Sequence, residues 1–182
     1  VITVLFKSIK KIQLTIVNLL IISGFSFAEP IGGVIESTGV TSLVRESERL
    51  ESDVGTDVNI YDEAETANGR MLIEFLDEEK LSLTENSLVY IDEAYYDPDP
   101  SKSKMAISMV RGTARFASGA GNRIKKQNVD VSTPTANITM RGTDFTTTID
   151  ELGRTMVVLL PDEETGASSG EIVVYNDGGE VV

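Results

Sequence analysis

Beyond residue 28, apolar side chains recur at every second position in short runs, and turn residues interrupt those runs at intervals of about ten. A two-residue period matches the alternation of side chains across a β-strand. A helix would need apolar residues three and four apart, and no segment keeps that spacing for three turns. The pattern predicts an all-β chain: a single domain of short antiparallel and stacked strands, β-sandwich or β-solenoid-like, with little helix after residue 28.

The individual runs carry more detail. Residues 33–36 and 39–45 read as a first strand pair around the turn Ser37-Thr38-Gly39. Asn68-Gly69 opens a strand with Met71, Ile73 and Phe75 on one face, closed by the turn Asp77-Glu78-Glu79. Leu81 and Leu83 alternate with polar neighbours. Residues 87–91 are apolar on both faces apart from the Tyr90 hydroxyl, which predicts a strand covered twice. Residues 92–104 hold Pro98 and Pro100, whose rings forbid ladder hydrogen bonds, and read as a loop. Alternation resumes at Met105, Ile107 and Met109, then after a basic turn at 123–126 with Val129 and Val131, then with Ala136, Ile138 and Met140, and with Phe145, Thr147 and Ile149. Residues 155–160 are nearly all apolar and predict a central strand buried on both sides, followed by a strand at 172–175. Val181-Val182 lies within an expected further strand after Asp177-Gly178-Gly179, so more chain is expected beyond it.

The start of the chain follows a different logic. Lys7, Lys10 and Lys11 precede an apolar stretch at 12–22, and Ser26-Phe27-Ala28 supplies small residues at the spacing of a signal-peptide cut. The stretch is interrupted by Gln13, Thr15 and Asn18 and is short for roughly 30 Å of hydrocarbon. Residues 1–28 are thus expected to be a secretory signal peptide and 29–182 the exported domain, periplasmic or extracellular, with membrane contact only if the leader is kept. Its loss removes three lysines and no acid, leaving 13 basic and 29 acidic residues, a net charge of −16 against −13 for the whole chain. That charge repels nucleic acid and anionic membranes. Histidine and cysteine are absent, which removes Ser-His-Asp and Cys-His nucleophiles, zinc sites built on thiolate or imidazole, and any disulfide. Stability must come from burial.

Two segments thirty positions apart share an apolar-Arg-Gly-Thr core, Val110-Arg111-Gly112-Thr113 and Met140-Arg141-Gly142-Thr143. Such repetition is a mark of stacked β-structure. Counting by twos sets Arg111 on the face of Met109 but Arg141 opposite Met140, so a common ligand clamp is not implied. Around the second copy, Thr133-Pro134-Thr135-Ala136-Asn137-Ile138-Thr139-Met140-Arg141-Gly142-Thr143-Asp144-Phe145 resembles the signature run of the FecR domain family. The order of runs resembles that family over residues 31–175, although Asp77-Glu78-Glu79 stands where the family usually has Asp-Gly-Ser, and glutamate resists positive φ. Family members that regulate iron uptake carry an anti-sigma segment and a membrane helix ahead of this domain. Only eleven residues precede the apolar stretch here, so the resemblance implies an exported FecR-domain protein.

The residues themselves argue for architecture. Thr133-Pro134 fixes an extended entry, Gly142 permits a bend, and Arg141 could tie loop carbonyls or an acid at a corner. Thr133, Pro134, Ala136, Ile138, Arg141, Gly142, Thr143 and Phe145 are therefore expected to hold the fold. The acids at 77–79, at Asp92, Glu93, Asp97 and Asp99, and at 162–164 are the other constellation. Asp97-x-Asp99-x-Ser101 opens like a calcium loop, but Lys102 stands where that loop needs glycine. Tyr95-Tyr96 beside these acids could stack on a sugar or cover a core edge. No catalytic residue, cofactor or metal is assigned. Three function classes follow: a binding or signalling module of the bacterial envelope with another protein as its partner, a structural piece of a surface assembly, and, last, a carbohydrate-active enzyme using two carboxylates.

Overall fold

The structure, a computed structural model, describes residues 29–119, 128–161, 166, 170–176 and 178–181. The strands are β1 (Gly32–Thr38), β2 (Thr41–Arg45), β3 (Glu48–Glu51), β4 (Asp57–Val58), β5 (Glu63–Thr66), β6 (Arg70–Phe75), β7 (Lys80–Leu83), β8 (Leu88–Tyr95), β9 (Lys104–Ala117), β10 (Asn128–Ser132), β11 (Asn137–Arg141), β12 (Asp144–Ile149), β13 (Thr155–Leu160) and β14 (Glu171–Tyr175). The chain is all-β, as its periodicity requires. One short 3₁₀ turn, Pro100–Lys102, interrupts the strands.

All fourteen strands hydrogen-bond into a single sheet that curls on itself as a half-barrel. Its front half runs β4-β1-β6-β7-β9-β12-β13 and its back half β3-β2-β5-β8-β9-β10-β11-β14. β9 belongs to both. Its first part, through Arg111, pairs with β8 and β10, and its second, from Gly112, pairs with β7 and β12. Neighbours are antiparallel except β9 and β10, which run parallel. Among the places where the chain switches halves are the passages from β1 to β2, from β5 to β6 and from β7 to β8, and the bend in β9. These four crossings stack along one seam, where Ala67 N–H donates to Val40 O at 2.9 Å, Asn86 N–H to Ala67 O at 2.8 Å and Thr84 N–H to Thr113 O at 3.1 Å.

A crossing takes backbone groups out of the strand ladder, and buried groups need other partners. Short hydroxyls supply them along the seam. The Ser87 hydroxyl accepts from Thr113 N–H and donates to Thr113 O, both at 3.0 Å. Thr66 Oγ1 accepts from Ser87 N–H at 3.0 Å and donates to Thr84 O. Ser52 Oγ donates to Thr41 Oγ1 at 2.7 Å.

The inward positions match the alternation. Met71, Ile73, Phe75, Leu81, Leu83, Met105, Ile107, Met109, Val129, Val131, Ile138, Met140, Phe145 and Ile149 join one buried cluster fed by both halves. Phe116 and Phe145, on adjacent strands, stack with ring centroids 5.6 Å apart.

Several expectations need correction. β1 and β2 do not pair with each other: at Gly39 the chain changes halves, so the supposed hairpin is a crossing. Residues 92–95 continue β8, leaving the loop to begin at Tyr96. In β8 itself Leu88, Val89 and Ile91 are buried but Tyr90 is exposed, so only part of the strand is covered twice. Glu78 takes φ +67 despite its side chain. The largest error concerns β13. Among the described residues it pairs only with β12, and Met156, Val158 and Leu159 are 58%, 42% and 37% exposed, so this apolar run is an edge strand. Residues 123–126 and 162–164 lie outside the described residues.

Candidate functional site

The family-like run spans a hairpin and a crossing. Thr133 to Ala136 form the turn between β10 and β11, closed by Thr133 N–H donating to Ala136 O at 2.9 Å and by Ala136 N–H donating to the Thr133 hydroxyl at 3.0 Å. That hydroxyl meets Thr155 Oγ1 at 2.7 Å, and Thr135 Oγ1 meets it at 2.8 Å, so the back-half turn is tied to the first residue of β13. Ala136, Ile138 and Phe145 are buried. Pro134 is exposed at the turn.

Arg141-Gly142-Thr143 then carries the chain from β11 in the back half to β12 in the front. Gly142 is buried at φ +59, a left-handed conformation that side chains rarely adopt. The Thr143 carbonyl accepts from Ser118 Oγ at 3.2 Å, and the buried Asp144 carboxylate accepts from Ser118 N–H at 3.1 Å and faces Arg115 Nη2 at 3.5 Å. Asp144, which sequence reading passed over, thereby joins the end of β9 to the start of β12. Arg141 itself is exposed on the outer face, across the ladder from Glu171.

Arg111 was expected on the inward face of Met109, and that is wrong. Leu88 pairs with Arg111 but Val89 with Met109, so Val110 is an extra residue in β9, and this bulge turns Arg111 outward. Both RGT arginines are therefore exposed, and both glycines sit where the chain passes from back to front, Gly112 at φ +88. They lie at opposite ends of the strands, because Gly112 pairs with Ile149, at the far end of β12 from Asp144. Arg111 donates to Glu65 Oε1 at 2.7 Å, and Arg49 lies 2.6 Å from Glu65 Oε2. The hydrogen bond from Arg49, reinforced by Arg111, holds the Glu65 carboxyl below its ordinary pKa.

The acids of the 92–104 segment are engaged locally. Asp92 accepts from Ser108 Oγ at 2.6 Å, Asp97 from Asp99 N–H at 2.8 Å, and Asp99 from the Ser101 hydroxyl at 2.8 Å. Among the described residues no three acidic side chains converge as a metal site. Tyr96 covers a core edge, donating to Ile31 O at 3.0 Å, and burial pushes its phenol pKa up, aided by Asp77 and Glu79. Tyr95 stays exposed. A second buried acid that the sequence did not flag is Asp62, which takes Arg45 Nε at 2.8 Å and Nη2 at 2.7 Å.

Among the open features of the outer surface are a hollow of about 290 Å³ beside Arg141, lined by Asp130, Thr139, Glu171 and Val173, and two others. One is a polar groove of about 550 Å³ over the front half, with the Glu74–Lys80 pair at 3.2 Å on its floor beside Arg115 and Asp144. The other is the β13 edge. It is six residues long and uncharged, with Met156, Val158 and Leu160 on its outer face and Val157 and Leu159 on its inner one.

A fold of this kind, a curled sheet whose RGT crossing is locked by Asp144 and Ser118, coincides with the reach of a known family. The FecR protein family model matches residues 62–161, more than half of the sequence, and the chain belongs to the FecR family. No curated protein and no solved structure matches it. The match runs from Asp62 to the end of β13, narrower than residues 31–175, although β1 to β4 share the same sheet. The family is a non-enzymatic signalling and regulatory one, which points to a signalling or regulatory role in the cell envelope.

Proposed function

We propose that this chain is an exported, non-catalytic signalling module of the bacterial envelope, engaged by protein through the β13 edge, with the family-run residues Thr133 to Phe145 serving the fold. The β13 edge is the observation that carries this reading. Natural sheets blunt their edges with charge or brevity, because an open row of N–H and C=O groups is a template for another strand. β3 carries Glu48, Arg49 and Glu51 among its four residues, β4 is two residues long, and β14 meets Val181 in a bridge. Among the described residues β13 has none of these protections, and of the four edge strands found there it alone has no charged residue. Strand addition gives affinity through the backbone and specificity through alternate side chains.

Export is supported by the lysine-apolar-small order of residues 1–28, and absence of activity by the lack of histidine and cysteine together with the locally bonded acids. The test is to produce the whole chain in a bacterium with a photo-crosslinking residue at Val158, then fractionate. Material in the envelope fraction that begins at Glu29 and crosslinks to protein from Val158, but not from Ser82 in the front-half groove, is the expected result. A chain retained in the cytoplasm, or one crosslinked from Ser82 alone, would sink the proposal.

A further inference from the structure

We infer that the partner at the β13 edge is a second copy of this chain, added antiparallel about a two-fold axis through Val157. This rests on the reading of β13 as the contact surface and names what occupies it. The first argument is register. Directly opposite residues in an antiparallel pair face the same side of the sheet. With Met156, Val158 and Leu160 outward and Val157 and Leu159 inward, two copies of β13 match only when residues of like parity oppose each other. Two such registers are centred on the strand. Centring on Val158 sets Pro161, which has no N–H, opposite Thr155. Centring on Val157 sets Met156 against Val158 and Thr155 against Leu159, with no proline in the ladder. A strand edge that meets its own copy this way forms an isologous interface.

The second argument is charge. In the Val157 register Arg154 of each copy lies opposite Leu160 of the other, and Leu160 is paired in its own sheet with Asp144. Asp150 pairs with Arg154 in the hairpin, its N–H donating to Arg154 O at 3.1 Å, so Arg154 continues the outward row of β13. Its exposed guanidinium is held by Asp150 of its own copy at 2.6 Å, so each end of the joined strands carries a neutralised pair rather than a lone charge. Between these ends no charge faces a like charge, which matters for a chain of net charge −13. The third argument is apolar continuity. Val157 is half-buried against the core, and Leu159, inward by register, is exposed. A second β13 continues that inner face and covers them.

The absence of cysteine from the sequence gives a clean test. The full protein, purified from the cells that make it, is examined by sedimentation at up to about 100 μM, alongside Val158→Lys and single-cysteine variants. The expected result is a dimer that Val158→Lys weakens at least about tenfold, with the same melting temperature for both proteins at dilutions where both are monomeric. Val157→Cys should form an intermolecular disulfide and Met156→Cys should not, since only residue 157 meets its own copy. A monomer throughout the range overturns the inference, as does a dimer indifferent to Val158→Lys or one that crosslinks from 156 and not 157. A different protein captured from Val158 in the envelope overturns the second copy while leaving the proposed function standing. No crosslink at Val158 at all removes both.

Discussion

Replacing Gly112 by alanine puts a Cβ into a crowded point of the seam. It would stand 2.5 Å from Ser87 Cα and 2.7 Å from Asn86 O, inside ordinary contact by about 1 Å. The crossing from β7 to β8 would have to retreat. Retreat pulls the Ser87 hydroxyl away from Thr113, whose N–H and C=O it serves at 3.0 Å each, and each such bond is worth about 1 kcal/mol. Overpacking adds about 1–3 kcal/mol, and holding alanine near φ +88 adds about 1 kcal/mol more. The total is about 4–6 kcal/mol, a large part of the roughly 5–15 kcal/mol by which domains are stable. At about 2–4 °C per kcal/mol for a chain of this size, the melting temperature should fall by about 8–24 °C. Gly153→Ala is the matched control, since Gly153 has φ +78 but nothing within 4 Å of its would-be Cβ. It should cost about 1 kcal/mol. Thermal unfolding followed by circular dichroism compares the two, and equal shifts would show that backbone conformation alone matters and that the seam contact carries no strain.

Asp62→Ala strips the bidentate partner from Arg45 and leaves Asn59 N–H without its carboxylate acceptor; urea titration should register a loss of about 3 kcal/mol. Phe116→Ala, beside Phe145 in the core, should cost about 3–5 kcal/mol by the same measurement, and a loss below about 1 kcal/mol would contradict the packing. The depressed Glu65 carboxyl contributes stability that is present above its unfolded pKa and lost as pH falls through its lower folded value. The melting temperature of Glu65→Gln should therefore lie below wild type at pH 7 and converge with it in strong acid, whereas a constant gap would mean that the carboxylate charge plays no part.

Much of the fold was legible because a half-covered strand has to alternate. Met71, Ile73 and Phe75, or Ala136, Ile138 and Met140, could face a core only one way, and they do. What failed were features that a period of two does not encode. The bulge at Val110 shifts the parity of everything beyond it, so Arg111 emerged on the face that counting denied it. An all-apolar run such as 155–160 reads the same whether it is central or an edge, since only its neighbours in space distinguish the two. Gly39 signalled a change of direction, but whether the chain doubles back or crosses to the other half depends on which strands arrive later. The hydroxyls of Thr66 and Ser87 and the carboxylate of Asp144 left no periodic trace, because each acts on backbone distant in sequence.

β9 spans fourteen residues and is bonded to β7, β8, β10 and β12, so its two parts lie within opposite halves of the same sheet. Neither half can open across its middle without tearing one part of this strand from its neighbours. Loss of structure should then spread from the margins, with β3, β4 and β14 exchanging their amide hydrogens through small local openings and the central amides of β9 exchanging only when the whole domain unfolds. Chemical denaturation should accordingly proceed in one step, with probes in either half reporting the same midpoint.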